Sequence, residues 1–122
     1  MNIYTIYCTE AQTKKAFELG APIERVIFTT NDAYKYTKIN KGIYIIPTAE
    51  QMIGWLETIS AMQLQIEKQT LDLGSDTRYR IWVGNTCKQF SDVIEMRSYS
   101  TRKEATLAAI DAALEYLSKI MK

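Results

Sequence analysis

Leu107, Ile110, Leu114, Leu117 and Met121 recur at alternating steps of three and four. That spacing returns once per helical turn and lays one apolar stripe along a helix. Thr101-Arg102-Lys103-Glu104 stands just before it. A Thr followed three residues later by Glu is a helix start, because each side chain reaches a backbone N–H that the first turn leaves unbonded. Asp111, Glu115 and Lys119 fall on the opposite side, where a Glu115–Lys119 pair adds roughly a few tenths of a kcal/mol. Ala105, Ala108, Ala109, Ala112 and Ala113 raise helix propensity and thin the flanks enough for close approach to a sheet. The segment from Thr101 to about Met121 is therefore a capped amphipathic helix that must bury one face.

The same start signal occurs twice more. Thr9-Glu10-Ala11-Gln12 opens a helix running through Ala16 and Phe17, and Leu19-Gly20 with Pro22 beyond supplies its stop. Pro47-Thr48-Ala49-Glu50-Gln51 opens another, carrying Met52, Ile53, Trp55, Leu56 and Ile59. Between the second and third helices the period changes to two. Met62, Leu64 and Ile66 alternate with Gln63, Gln65 and Glu67, and Tyr79, Ile81 and Val83 alternate with Arg78, Arg80 and Trp82. Leu71 to Asp76 and Gly84-Asn85-Thr86 read as turns. A third strand falls within Val93 to Tyr99, with Ile94 and Met96 on one face.

Residues 47–122 thus form an α-β-β-β-α unit, with two helices on the apolar face of an antiparallel three-stranded sheet. In residues 1–46 a helix is followed by short strands: Arg25 to Thr30, a turn at Asn31-Asp32, Tyr34 to Ile39 as its partner, and an apolar run from Gly42 to Ile46. Ile6, Thr9, Gln12 and Glu18 recur as Ile45, Thr48, Gln51 and Glu57, an offset of 39 that either duplication or repeated strand-to-helix punctuation produces. No Pro, Gly or Ser-rich linker intervenes, so one α+β domain spans residues 1–122.

Histidine is absent. Ser-His and Cys-His nucleophilic pairs and His-containing zinc sites are thereby excluded. Cys8 and Cys87 have no CxxC spacing and read as free structural thiols of a reducing cytoplasm. No window reaches the roughly 18 apolar residues of a membrane span, and the N-terminus has no signal-peptide pattern. No phosphate-binding glycine loop, calcium loop or GxSxG elbow is present. The reading is of a cytoplasmic, non-enzymatic protein with no cofactor, no metal and no membrane partner.

Three segments carry a family likeness: Tyr7-Cys8-Thr9-Glu10-Ala11-Gln12-Thr13-Lys14-Lys15-Ala16, Ile46-Pro47-Thr48-Ala49-Glu50-Gln51-Met52-Ile53-Gly54-Trp55-Leu56-Glu57, and Tyr99-Ser100-Thr101-Arg102-Lys103-Glu104-Ala105. Together they resemble small proteins of gut Bacteroidales and of their phages and prophages. The resemblance implies a mobile-element accessory protein and brings no catalytic residue with it. The α-β-β-β-α order and Arg102-Lys103-Glu104-Ala105 are also similar to double-stranded-RNA-binding domains. That family continues with Lys where this chain has Thr106, and it places Pro and His in the turn that is Leu71 to Asp76 here. Both departures fall on RNA-contacting positions.

Net charge is +1, so any nucleic-acid argument is local. From Thr77 to Lys103 there are six basic residues and two acidic ones. If Tyr79, Ile81 and Val83 face the helices, then Arg78, Arg80 and Trp82 point away, with Arg97 and Tyr99 beside them. These residues, with Arg102 and Lys103, are the candidate binding surface. Arginines interleaved with aromatics stack bases and neutralise phosphates, but the same face is equally able to lie beneath residues 1–46. The eight tyrosines, five of them in the first 46 residues, point instead to an interaction module. A protein partner or self-association is the first expectation, and a nucleic acid the second.

Overall fold

The structure is a computed structural model that describes residues 5–26, 34–60, 62–70, 77–85 and 98–120, with the backbone alone for 60, 62, 69, 70, 77–85, 98 and 120. In chain order the elements are α1 (Glu10–Glu18), β1 (Arg25–Val26), β2 (Tyr36–Ile39), β3 (Gly42–Ile45), α2 (Ala49–Ser60), β4 (Met62–Thr70), β5 (Thr77–Asn85), β6 (Ser98–Tyr99) and α3 (Arg102–Ile120). The fold is α+β. From α2 onward the order is α-β-β-β-α with an antiparallel sheet β4-β5-β6, as the periodicities require.

All three helices start where the Thr signals stand. Gln12 N–H donates to Thr9 Oγ1 and Thr9 N–H to Gln12 Oε1, both at 3.0 Å. Thr48 and Gln51 exchange the same pair of bonds at 3.0 and 3.2 Å. At α3 the Thr101 hydroxyl accepts from Glu104 N–H at 3.1 Å, while the Glu104 carboxylate turns to the Ser100 hydroxyl. The end of α1 is closed by Ala21 N–H to Ala16 O at 2.9 Å and Gly20 N–H to Phe17 O at 3.1 Å, with Gly20 at φ 95°. These two bonds form a Schellman motif, whose left-handed residue is the reason for glycine there.

Sheet register agrees with the alternation. Leu64 lies opposite Val83 and Ile66 opposite Ile81, while Gln65 and Glu67 lie opposite Trp82 and Arg80. Leu64 is buried, Ile66 packs on the core, and Gln65 and Glu67 are exposed. The third strand is the short piece Ser98–Tyr99; Val93 to Arg97, the turn Leu71 to Asp76, Thr86, Cys87 and Met121 lie outside the described residues.

The first half corrects one expectation. Arg25–Val26 does not pair with Tyr36–Ile39. Both pair antiparallel with β3, giving the order β1-β3-β2. Asn40-Lys41 is the reason, since this two-residue loop, with Asn40 at φ 54°, closes β2 onto β3 at the smallest entropic cost. The other edge of β3 then accepts β1. The extension of that strand through Thr30, and the Asn31-Asp32 turn, lie outside the described residues.

The core also turns α3 further than its stripe suggests. Ala105, Ala109, Ala113 and Ile110 are wholly buried, Leu114 and Leu117 nearly so, and Leu107 only half. Small residues let α3 approach the sheet closely, so the alanines enter the core instead of flanking it. Ala16, Ile46, Ala49, Met52, Leu56 and Leu64 complete the same cluster, which joins α1, α2, α3 and β4. Phe17 and Tyr44, with ring centroids 4.9 Å apart, tie α1 to β3.

Candidate functional site

The two strand-to-helix starts meet each other. Cys8 N–H donates to Pro47 O at 3.1 Å and Ala49 N–H to Ile6 O at 2.8 Å, so residues 6–8 run antiparallel to 47–49, just ahead of α1 and α2. Ile46 N–H donates to Lys35 O at 2.8 Å, which brings the lead-in to β2 alongside. Several clefts open around this junction, among them an aromatic one and a cationic one.

The first, about 450 Å³, lies between the α1–β1 connection, the end of β3 and the first turns of α2. Tyr7, Tyr34 and Trp55 line it with Pro22, Ile45 and Met52. Tyr34 is 51% exposed and Trp55 half-buried, so aromatic surface stands open to solvent. Glu24 is the charged residue in the lining, and Thr48 and Gln51 are already engaged in their cap. Its size is that of a site for a small ligand or a few side chains.

The second, about 590 Å³, lies between residues 5–9, Lys35 and the first turn of α3. Lys35, Arg102 and Lys103 line it together with Thr5, Tyr7, Cys8, Thr9 and Leu107. Among the described residues its lining contains no carboxylate. Lys35 Nζ sits over the Tyr7 ring, 4.9 Å from its centroid, a cation–π contact that holds the ammonium at the cleft. Cys8 lies at the same junction, 5% exposed, with its thiol donating to Thr48 O at 3.7 Å. Burial first, and the Asp111 charge second, push the Cys8 thiol from 9.0 up to about 12. It is a protonated structural thiol at neutral pH, not a nucleophile.

The sequence-chosen surface divides three ways. Arg102 and Lys103 are exposed and enter the cationic cleft. Arg78, Arg80 and Trp82 hold register positions opposite Gln69, Glu67 and Gln65, but their side chains lie outside the described residues, as does Arg97. Tyr99 is a correction. It pairs with Tyr79, not with the Arg80 row, and packs half-buried on the core beside Ala108 and Ala112 of α3. The alternation that put Tyr99 with Arg97, opposite Ile94 and Met96, runs through Val93 to Arg97, which lie outside the described residues.

No sequence motif marks Tyr34, Trp55 or Lys35 as a site residue. The surplus of tyrosines in the first half is a signal for the aromatic cleft, whereas nothing local marks Lys35. Thr106, where the RNA-binding pattern carries Lys, is buried, and its hydroxyl donates to Arg102 O at 2.7 Å. Among the described residues no three Cys, Asp or Glu side chains gather to hold a metal, and no helix is long and apolar enough to cross a membrane.

An α+β domain with open clefts and a closed, protonated thiol defines a class by architecture only. Compared with protein-family models, curated proteins and solved structures, the chain has no significant match.

Proposed function

We propose that this protein is a binding module whose aromatic cleft takes an extended, apolar segment of a partner protein. The observation that carries the reading is Tyr34, half exposed at the rim of a cleft that Tyr7 and Trp55 also line. Tyrosine and tryptophan offer large, stiff contact area at low entropic cost, which is why they concentrate at interfaces. Aromatic-lined grooves of this kind accept proline or aliphatic side chains of a chain that is already extended. Glu24 at the rim favours a Lys or Arg beside the inserted residue. The cytoplasm of a bacterium that carries the phage or prophage is the setting that the family likeness suggests.

Selection from a displayed library of random peptides tests this. Enriched peptides should share an apolar or proline position flanked by a basic one. Their binding should fall about tenfold or more in Tyr34→Ser and in Trp55→Leu, the range of an interface hot spot. Enrichment of no peptide, or of peptides indifferent to both substitutions in folded protein, would refute the reading.

A further inference from the structure

We infer that the second cleft is a binding site for a compact phosphate-bearing anion, of the size of a pyrophosphate or mononucleotide. Three cations reach it from two parts of the chain: Lys35 ahead of β2, and the adjacent Arg102 and Lys103 at the start of α3. Among the described residues none of the three has a carboxylate within ion-pair distance, although Lys15 does find Glu115 at 2.6 Å. Like charges converging without a counterion repel one another, and a bound anion removes that repulsion.

Among the described residues the acids nearest the lining are occupied or lie outside it. Glu104 is turned to Ser100, and Asp111 accepts from Gln12 Nε2 at 2.8 Å. Glu10 stands on the first turn of α1, outside the lining. The first turn of α3 contributes as well. Its Thr101 hydroxyl engages Glu104 N–H, leaving the backbone N–H groups of Arg102 and Lys103 at the positive end of a helix of 19 residues. Thr5 and Thr9 add hydroxyls to the wall.

Size and surroundings choose between a compact anion and a nucleic-acid strand. The cleft holds about 590 Å³, enough for a nucleotide. Beyond Thr5, Ile6 and Arg102, however, the surface continues into a groove lined by Glu50 and Glu57 of α2. A polyanion following that path meets two carboxylates within a few nucleotides, whereas a compact anion stops short of them. The inference is independent of the peptide-binding reading, since it uses a different cleft and different side chains.

The test is a titration of the full chain, followed by backbone amide NMR shifts, with sodium pyrophosphate, with AMP and with a single-stranded DNA of 20 nucleotides at constant ionic strength. This length is about that of one protein-sized binding footprint or longer. Pyrophosphate and AMP should give saturable shifts at Lys35, Arg102 and Lys103. Affinity should fall roughly tenfold in Lys103→Gln and in Lys35→Gln, as expected for loss of a charge-assisted contact. Both residues are exposed, so the variants keep the fold, and an unchanged amide spectrum elsewhere verifies that. Shifts no larger than those from chloride would overturn the proposal. So would a DNA strand that binds more tightly than AMP, which would make the cleft part of a nucleic-acid surface.

Discussion

Gln12 Nε2 lies 2.8 Å from Asp111 Oδ1, joining the first turn of α1 to the middle of α3 across 99 residues. The same amide nitrogen donates to Leu107 O at 2.8 Å, and Oε1 accepts from Thr9 N–H at 3.0 Å. Gln12 is 2% exposed, yet no polar atom of its side chain is left unbonded. One side chain therefore caps its own helix and fastens it to another.

Replacing Gln12 by Leu should destabilise the protein by about 1–3 kcal/mol, because Thr9 N–H and Leu107 O lose a partner in a partly buried place. Gln12→Glu should cost more, since a carboxylate would face both Leu107 O and Asp111. Urea unfolding measures both. A double-mutant cycle of Gln12→Ala with Asp111→Ala should give clear coupling, and additive effects would mean that the two residues do not act together.

Cys8 makes stability fall at alkaline pH. The unfolded thiol loses its proton near 9.0, and the folded one keeps it to about 12. Across that window the native state binds more protons, so unfolding becomes easier as pH rises, and below it the contribution is fully present. The quantity to measure is the difference in slope between the parent and Cys8→Ala, both carrying Cys87→Ser. Parallel slopes would contradict the buried, protonated thiol.

Two glycines should respond to alanine for different reasons. Gly20→Ala should lose about 1–2 kcal/mol from backbone strain alone, since φ is 95° and an added Cβ meets nothing within 4 Å. Gly42→Ala is a steric change: its Cβ would stand 2.9 Å from the Tyr44 ring and 3.1 Å from Arg25 Nε. Its cost should be about 1–3 kcal/mol, and it should fall when Tyr44 is shortened to Leu, whereas Gly20→Ala should be indifferent to that change. Thermal unfolding of the four variants distinguishes the two mechanisms.

Glu57 covers part of a sheet edge. Among the described residues β4 pairs with β5 alone, and its outward Leu64 N–H donates to Glu57 Oε2 at 3.4 Å. An uncovered edge strand invites pairing with another chain. Glu57→Ala should accelerate hydrogen exchange of the Leu64 amide several-fold, by the loss of one weak bond, and should raise association at high concentration. If exchange at Leu64 is unaltered, the carboxylate does not protect the edge.

The helix starts, the α1 stop and the α-β-β-β-α order were legible in the chain, because each depends on residues two to five apart. Thr9 with Gln12, Thr48 with Gln51 and the alternations of β4 and the described backbone of β5 are set by local hydrogen bonding and by the pleat. Tertiary structure decided what lies between distant segments. Glu115, four residues from Lys119, bridges to Lys15 across α1 and α3. Gln12 extends its capping role to Asp111, and β3 takes the centre of its sheet because a two-residue loop closes β2 onto one of its edges and leaves the other to β1. Both clefts belong to this second kind. Their walls come from residues 5–9, the lead-in to β2, and the starts of α2 and α3, pieces that lie far apart in sequence. Packing of the shared apolar cluster brings them together, and with them the charges and rings on which binding depends.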